Sequence, residues 1–324
     1  MVFPPVGRPV GVGIVEYRFG DVCLAVGESN PQLRHSIRSI LYSSGFREIA
    51  DFSDCETLRD HLANKTTDMV IADASLPGGD FCAMLRAVRH HRLGKNPFLL
   101  AITLTGNPTQ DLVRKIVDSG ADDLIVKPFS ADALVERVQV LAKGRKPFVV
   151  THDYIGPDRR KKARLDCEQI PLLPVPNPLR AKAVTHTEPS SLQRMIDTAI
   201  ARINQQKMER YAVQVGYLID RILSRYQLDK SVRACEDDLK YLCTVAEDLA
   251  RRVRGTPFAY ISELTLSLIK LAERMLETLD QPDHRDVELL PKISQALARA
   301  FEPQQTTKQV AHEISESVTK FTAR

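Results

Sequence analysis

Apolar and polar positions between residues 21 and 144 alternate in a regular order. Short apolar runs predict strands at Val22–Val26, Phe46–Phe52, Met69–Ala72, Phe98–Leu104 and Leu124–Val126. Between and after them, apolar residues recur every three or four positions. That spacing predicts helices over Pro31–Ser44, Cys55–Asn64, Phe81–His91, Thr109–Ser119 and Ala131–Lys143. Gly45, Gly94 and Gly120 stand where helices should stop. Strands this short and apolar, each followed by a helix, imply a parallel sheet covered on both faces. The expected fold here is α/β: a doubly wound, five-stranded parallel sheet.

Residues 191–324 have a different rhythm. Met208, Tyr211, Val215, Ile219, Ile222 and Tyr226 form one helical stripe, and Cys235, Leu239, Leu242, Ala246, Leu249 and Val253 a second. A third runs through Ile261, Leu264, Leu268, Leu271 and Met275, and a shorter fourth through Leu289, Ile293, Ala296 and Ala300. Gly255, Pro257 and Pro282 separate them, and a less apolar last helix is expected over Thr307–Phe321. The stripes predict an all-α helical bundle. Residues 146–190 hold seven prolines and no periodicity beyond a short run at Phe148–Thr151, which reads as a partly basic linker. The expected organisation is an extension over 1–20, an α/β domain over 21–145, a linker over 146–190 and a helical output or interaction domain over 191–324.

Composition narrows the function classes. The 324 residues carry 45 basic and 41 acidic side chains, a net charge of +4. The excess centres on Arg159-Arg-Lys-Lys-Ala-Arg164, and the two large blocks are nearly neutral, so nucleic acid is not expected as a partner. No apolar stretch is long enough for a membrane span, and the start lacks a signal-peptide pattern. The six cysteines form no CxxC pair, as befits thiols in a reducing cytoplasm, the expected location.

The candidate chemistry sits at strand ends. Glu28 follows the first predicted strand, Asp73 the third, Thr105 the fourth and Lys127 the fifth. In a doubly wound sheet these ends converge at the ligand-binding edge. An aspartate can attack a phosphoryl group, oxygen ligands can hold Mg²⁺, and a lysine can offset phosphoryl charge.

Four segments carry a resemblance: Val26-Gly-Glu28-Ser-Asn-Pro31, Ile71-Ala-Asp73-Ala-Ser-Leu-Pro-Gly78, Leu104-Thr105-Gly-Asn, and Gly120-Ala-Asp-Asp-Leu-Ile-Val-Lys127-Pro-Phe129. Residues 21–144 resemble the receiver domain of two-component response regulators, whose sheet is flavodoxin-like. The resemblance implies Asp73 as phospho-acceptor and Glu28, Asp73 and the Ser75 backbone carbonyl as Mg²⁺ ligands. It implies Thr105 as the switch hydroxyl, Lys127 as the site lysine, and a cis Lys127–Pro128 bond. Two positions depart from the family pattern. Gly27 stands where a second acidic residue is usual, which should weaken Mg²⁺ binding. Leu124 occupies a switch position where many members carry an aromatic residue.

The resemblance implies a sensor histidine kinase or phosphotransfer protein as donor. The helical domain then implies a downstream protein partner or a homodimer. No separate output enzyme is expected, only Mg²⁺-dependent phosphorylation and dephosphorylation at Asp73. A weaker resemblance links Leu249–Thr256 to a histidine phosphotransfer helix, but Arg251 stands at the position of its histidine. Arg160-x-x-x-Arg164 has the spacing of a cyclic-dinucleotide loop without its partner motif. The competing readings are a phosphorylation-independent adaptor with a degenerate receiver and a DNA-binding transcriptional regulator.

Overall fold

The computed structural model describes residues 17–160, 170–229 and 231–301. Most of the N-terminal extension, Arg164 and the expected helix over Thr307–Phe321 lie outside them. The chain divides into two compact units, Met1–Val149 with Tyr154–Ile200, and Val150–Asp153 with Ala201–Arg324.

In the first unit, β1 (Leu24–Gly27), β2 (Ile49–Phe52), β3 (Met69–Asp73), β4 (Leu100–Thr105) and β5 (Asp123–Val126) form one parallel sheet in the order β2-β1-β3-β4-β5. The helices are α1 (Pro31–Ser43), α2 (Cys55–Asn64), α3 (Phe81–Arg89), α4 (Gln110–Asp118) and α5 (Ala131–Lys143). Each begins at a side chain that accepts a backbone N–H: Asn30, Asp54, Asp80, Thr109 and Ser130. Each such cap is worth about 1 kcal/mol. The two-residue period of the strands sorts the core. Leu24, Val26, Met69, Ile71, Leu100, Ile102 and Leu104 face one way and pack with Ile37, Leu41, Leu134 and Val138 of α1 and α5. Ala25, Val70, Ala72 and Ala101 face the other way, against Leu58, Leu62, Phe81, Leu85 and Ile116 of α2, α3 and α4.

The proline-rich region contains folded structure. A second sheet pairs β6 (Phe148–Val150) with β7 (Ile155–Pro157) and with β8 (Leu172–Leu173), and α6 (Pro178–Ala183) comes next in the chain. Only the first of these strands has a sequence signal: Phe148-Val-Val150 is all apolar, whereas β7 contains Gly156 and Pro157 and β8 has only two residues. Leu179 and Ala183 of α6 join the core beside α1 and α5, and Ala183 accepts the Arg18 N–H through its carbonyl.

A buried ion cluster fixes this extension to the amino end of the sheet. Asp122 Oδ2 accepts from Arg89 Nη2 at 2.9 Å and Arg145 Nη2 at 3.0 Å, and its Oδ1 accepts from Arg145 Nε at 2.9 Å. The Ala101 N–H also donates to Oδ2, at 2.9 Å. The remaining guanidinium N–H groups reach carbonyls: Arg89 those of Pro97, Leu99 and Gly120, and Arg145 those of Phe98, Leu99 and Pro176. Both guanidiniums lie over the Phe148 ring. Burial draws the Arg89 pKa down to about 10, opposed by Asp122, so the group stays charged at neutral pH. Gly120 has φ +82°, and a Cβ there would sit 2.7 Å from the Ile155 carbonyl oxygen, so β7 can approach only a glycine.

In the second unit, the later part of α7 (Pro189–Asp229) shares one apolar core with α8 (Glu236–Val253), α9 (Ser262–Glu277) and α10 (His284–Ala300). The first three predicted stripes fall in that core or against it. The fourth is rotated: Val287, Leu290, Ile293, Leu297 and Ala300 are fully buried, while Leu289 and Ala296 are partly so. Both registers are apolar along this stretch, and packing against the neighbouring helices selects between them. Among the described residues no helix is long and apolar enough to cross a membrane.

Asp122→Ala would leave two buried guanidiniums without a counter-charge. We expect it to destabilise the first unit by about 3–5 kcal/mol, read as a lower urea midpoint by circular dichroism. Asp123→Ala, which removes a mostly exposed pair with Arg137, should cost less than about 1 kcal/mol.

Candidate functional site at the carboxyl edge of the sheet

The parallel register brings the ends of β1, β3, β4 and β5 to one edge. Ala72 of β3 lies opposite Gly27 of β1, Asp73 opposite Leu104 of β4, and Thr105 opposite Val126 of β5. The next residues out are Glu28 and Lys127. Glu28 is 2% exposed and Asp73 7%.

Lys127 connects the two acids. Its ammonium donates to Glu28 Oε2 at 3.0 Å and to Asp73 Oδ2. Backbone N–H groups take the other carboxylate oxygens, Asn30 N to Glu28 Oε1 at 2.9 Å and Ser75 N to Asp73 Oδ1 at 2.6 Å. Burial lowers the lysine pKa, but the bonds to Asp73 and Glu28 outweigh it and raise it above the ordinary 10.5. A raised lysine pKa stabilises fully below the ordinary value and ceases only as pH climbs past the raised one. The three-residue ion cluster is therefore intact through the neutral range.

Thr105 is fully buried. Its Oγ1 accepts from Asn107 N at 3.3 Å and its carbonyl accepts from Lys127 N at 2.7 Å. Ser75 enters the site through its N–H. The Lys127–Pro128 bond is cis. Leu124 stands apart, opposite Thr103 in the sheet and packed against the core shared with α2, α3 and α4. The structure thus brings together Glu28, Asp73 and Lys127, places Ser75 and Thr105 beside them through backbone bonds, and leaves Leu124 partly buried against the core.

Two supporting residues escape the sequence reading. Asn30 both caps α1 and bonds Glu28 through its backbone N–H, and its place before Pro31 is the available signal. Arg34 donates to the Glu28 carbonyl and to Asp51 Oδ2 at 3.3 Å, and nothing in the sequence marks it.

Two carboxylates that share one ammonium point their oxygens at a common place. That donor set suits Mg²⁺, which takes one or two carboxylates and keeps several waters. Among the described residues no group of three or more acidic, histidine or cysteine side chains is arranged for a metal. Gly27 explains part of this. A Cβ there would lie 3.0 Å from both Ala72 Cβ and Leu76 Cδ2, and 3.1 Å from Leu58 Cδ2. The space a side chain at this position needs is filled by apolar atoms.

The response regulator receiver domain family matches residues 24–139. The chemotaxis protein CheY of Pseudomonas aeruginosa is 30% identical over 108 residues, 33% of this chain and 85% of that protein. The phosphate regulon transcriptional regulatory protein PhoB of Klebsiella pneumoniae is 26% identical over 127 residues, 39% of this chain and 54% of that protein. The chain therefore spans about half the length of the PhoB relatives it matches. Among solved structures, a CheY-like receiver domain protein from Methanospirillum hungatei matches with 19% identity and a TM-score of 0.34, covering 37% of this chain and 91% of that one.

Filling the Gly27 position tests how closely the edge is packed. Gly27→Ala should destabilise the first unit by about 1–3 kcal/mol through overpacking, measured by urea unfolding. Pairing it with Leu76→Ala should recover part of a loss that the two single changes would otherwise add.

Proposed function

Residues 24–139 are a response-regulator receiver domain, and from that premise we propose that the chain takes a phosphoryl group onto Asp73 from a sensor histidine kinase or phosphotransfer protein. The observation that carries this reading is the Lys127 ammonium shared by Glu28 and Asp73 at the carboxyl edge. A carboxylate oxygen of Asp73 attacks phosphorus, the phosphorus–nitrogen bond of the donor phosphohistidine breaks, and the imidazole keeps that electron pair. Lys127, already beside Asp73, offsets charge on the phosphoryl oxygens. The Thr105 hydroxyl, close by on β4, donates to a phosphoryl oxygen once the acyl phosphate exists. Glu28, Asp73 and the Ser75 carbonyl would hold Mg²⁺, which supplies positive charge to the phosphoryl oxygens.

The output passes through the helical unit as a protein contact, a downstream partner or a second copy of the chain. On α7, Val213, Tyr217 and Leu228 are 68%, 56% and 85% exposed and fall on one side of the helix. Such a stripe suits a protein surface better than the phosphate backbone of DNA. Arg251, where a phosphotransfer helix would carry its histidine, is instead ion-paired with Asp248 at 2.7 Å, so phosphoryl relay through the helices is not part of the proposal.

A second reading, a receiver kept as a phosphorylation-independent adaptor, is favoured by the filled space around Gly27. Incubation with acetyl phosphate and Mg²⁺, read by intact mass, separates the two. We expect wild type to gain one phosphoryl group and Asp73→Asn to gain none. No gain in wild type from either acetyl phosphate or a phosphorylated histidine donor, beside an active control receiver, would leave the adaptor reading in its place.

A further inference from the structure

At the end of the sheet opposite Asp73, the first unit encloses a cavity of about 350 Å³. That is within the range of small-molecule sites. Its floor is apolar, with Leu62 of α2, Val88 of α3, and Leu192 and Ile196 of α7. Its rim is basic. Lys65 comes directly after α2, Lys95 precedes β4, and Lys182 belongs to α6. The lining holds these three lysines and a single carboxylate, Asp68.

Asp68 is already satisfied. Its Oδ2 accepts from Lys182 Nζ at 2.7 Å and from Cys23 N at 2.8 Å. Its charge therefore cancels that of Lys182, and the surplus rests on Lys65 and Lys95. Neither of those makes an ion pair among the described residues. The Thr67 hydroxyl in the cavity wall is buried and has no hydrogen-bond partner.

Lys182, Leu192 and Ile196 lie beyond residues 24–139, so the receiver segment alone does not make this cavity. It exists because α6 and the first turns of α7 pack against the loops that precede β3 and β4. Asp68 immediately precedes the strand β3 (Met69–Asp73), and Asp73 is its last residue, five positions on. At about 3.3 Å per residue, the cavity lies roughly 16 Å from the phospho-acceptor position. A ligand here would not compete for Asp73.

We propose that this cavity binds a small amphipathic anion, with a compact apolar body against Leu62, Val88, Leu192 and Ile196 and a carboxylate or phosphate group facing Lys65 and Lys95. A neutral analogue would lose the attraction to the rim, and a cation of the same shape would be repelled by it. The apolar floor contributes by taking the ligand's apolar body out of water.

Isothermal titration of the full chain with octanoate, phenyl phosphate, octanol and octylamine tests this. Saturable binding of octanoate or phenyl phosphate, with octylamine at least about tenfold weaker, is the expected result. Octyl phosphate, with the same kind of chain as octanoate, is the matched probe: whichever of that pair binds tighter identifies the headgroup. The double reversal Lys65→Glu with Lys95→Glu alters only exposed side chains, so the fold should survive, and it should weaken anion binding by about tenfold or more. Ile196→Trp should fill the floor and abolish binding. Asp73→Asn should bind as wild type. The proposal is overturned if no probe saturates, if octylamine binds as well as the anions, or if the double reversal leaves the affinity unchanged.

Discussion

One carboxylate bears the heaviest electrostatic duty in the α/β unit. Asp122 stands between two guanidiniums that water does not reach, and each of its oxygens is engaged. Taking three charges out of water is unfavourable unless every donor and acceptor finds a partner. Here the carbonyls of Pro97, Phe98, Leu99, Gly120 and Pro176 complete the set. Arg145, Phe148 and Pro176 come from beyond the receiver segment, so the ion cluster ties that segment to the proline-rich stretch after it. The stretch supplies one acceptor, the Pro176 carbonyl, and the Phe148 ring beneath both guanidiniums.

The two ends of the sheet are consequently different chemical environments. At the amino end the charges are deeply buried and matched to fixed backbone acceptors, as suits a permanent joint. At the carboxyl end Lys127 keeps 20% of its side chain exposed while it holds both acids. The lysine that joins the two acids is thus partly open to solvent, whereas the guanidiniums at the amino end are 0% and 3% exposed.

The strands and helices of the receiver are legible because their apolar periods are long enough to read and their helix starts carry Asn, Asp, Thr or Ser. Glu28, Asp73 and Lys127 can be placed at one edge because a parallel sheet sends equivalent strand ends the same way. The rest is hidden for identifiable reasons. Arg89 and Arg145 look like ordinary charged helix-end residues, and only the fold brings them to Asp122, 33 and 23 positions away. The strand at Ile155–Pro157 is too short to show a period. The start of α7 is a different case. Leu192, Ile196, Ala199 and Ile203 step by four, three and four and are all buried. A 41-residue helix therefore has a readable first half that is obscured by the prolines before it.

The apolar atoms around Gly27 bear on how this site can change by descent. Any side chain at that position must first displace its neighbours, because its Cβ would lie 3.0 Å from Ala72 Cβ and Leu76 Cδ2 and 3.1 Å from Leu58 Cδ2. Leu76 lies three residues beyond Asp73, next to the residue that gives Asp73 its backbone N–H. A smaller residue at 76 would ease one of the three close contacts, so changes at 27 and 76 are coupled through packing. What position 27 can hold is therefore set by the volume left between α2 and the segment after β3 as well as by charge.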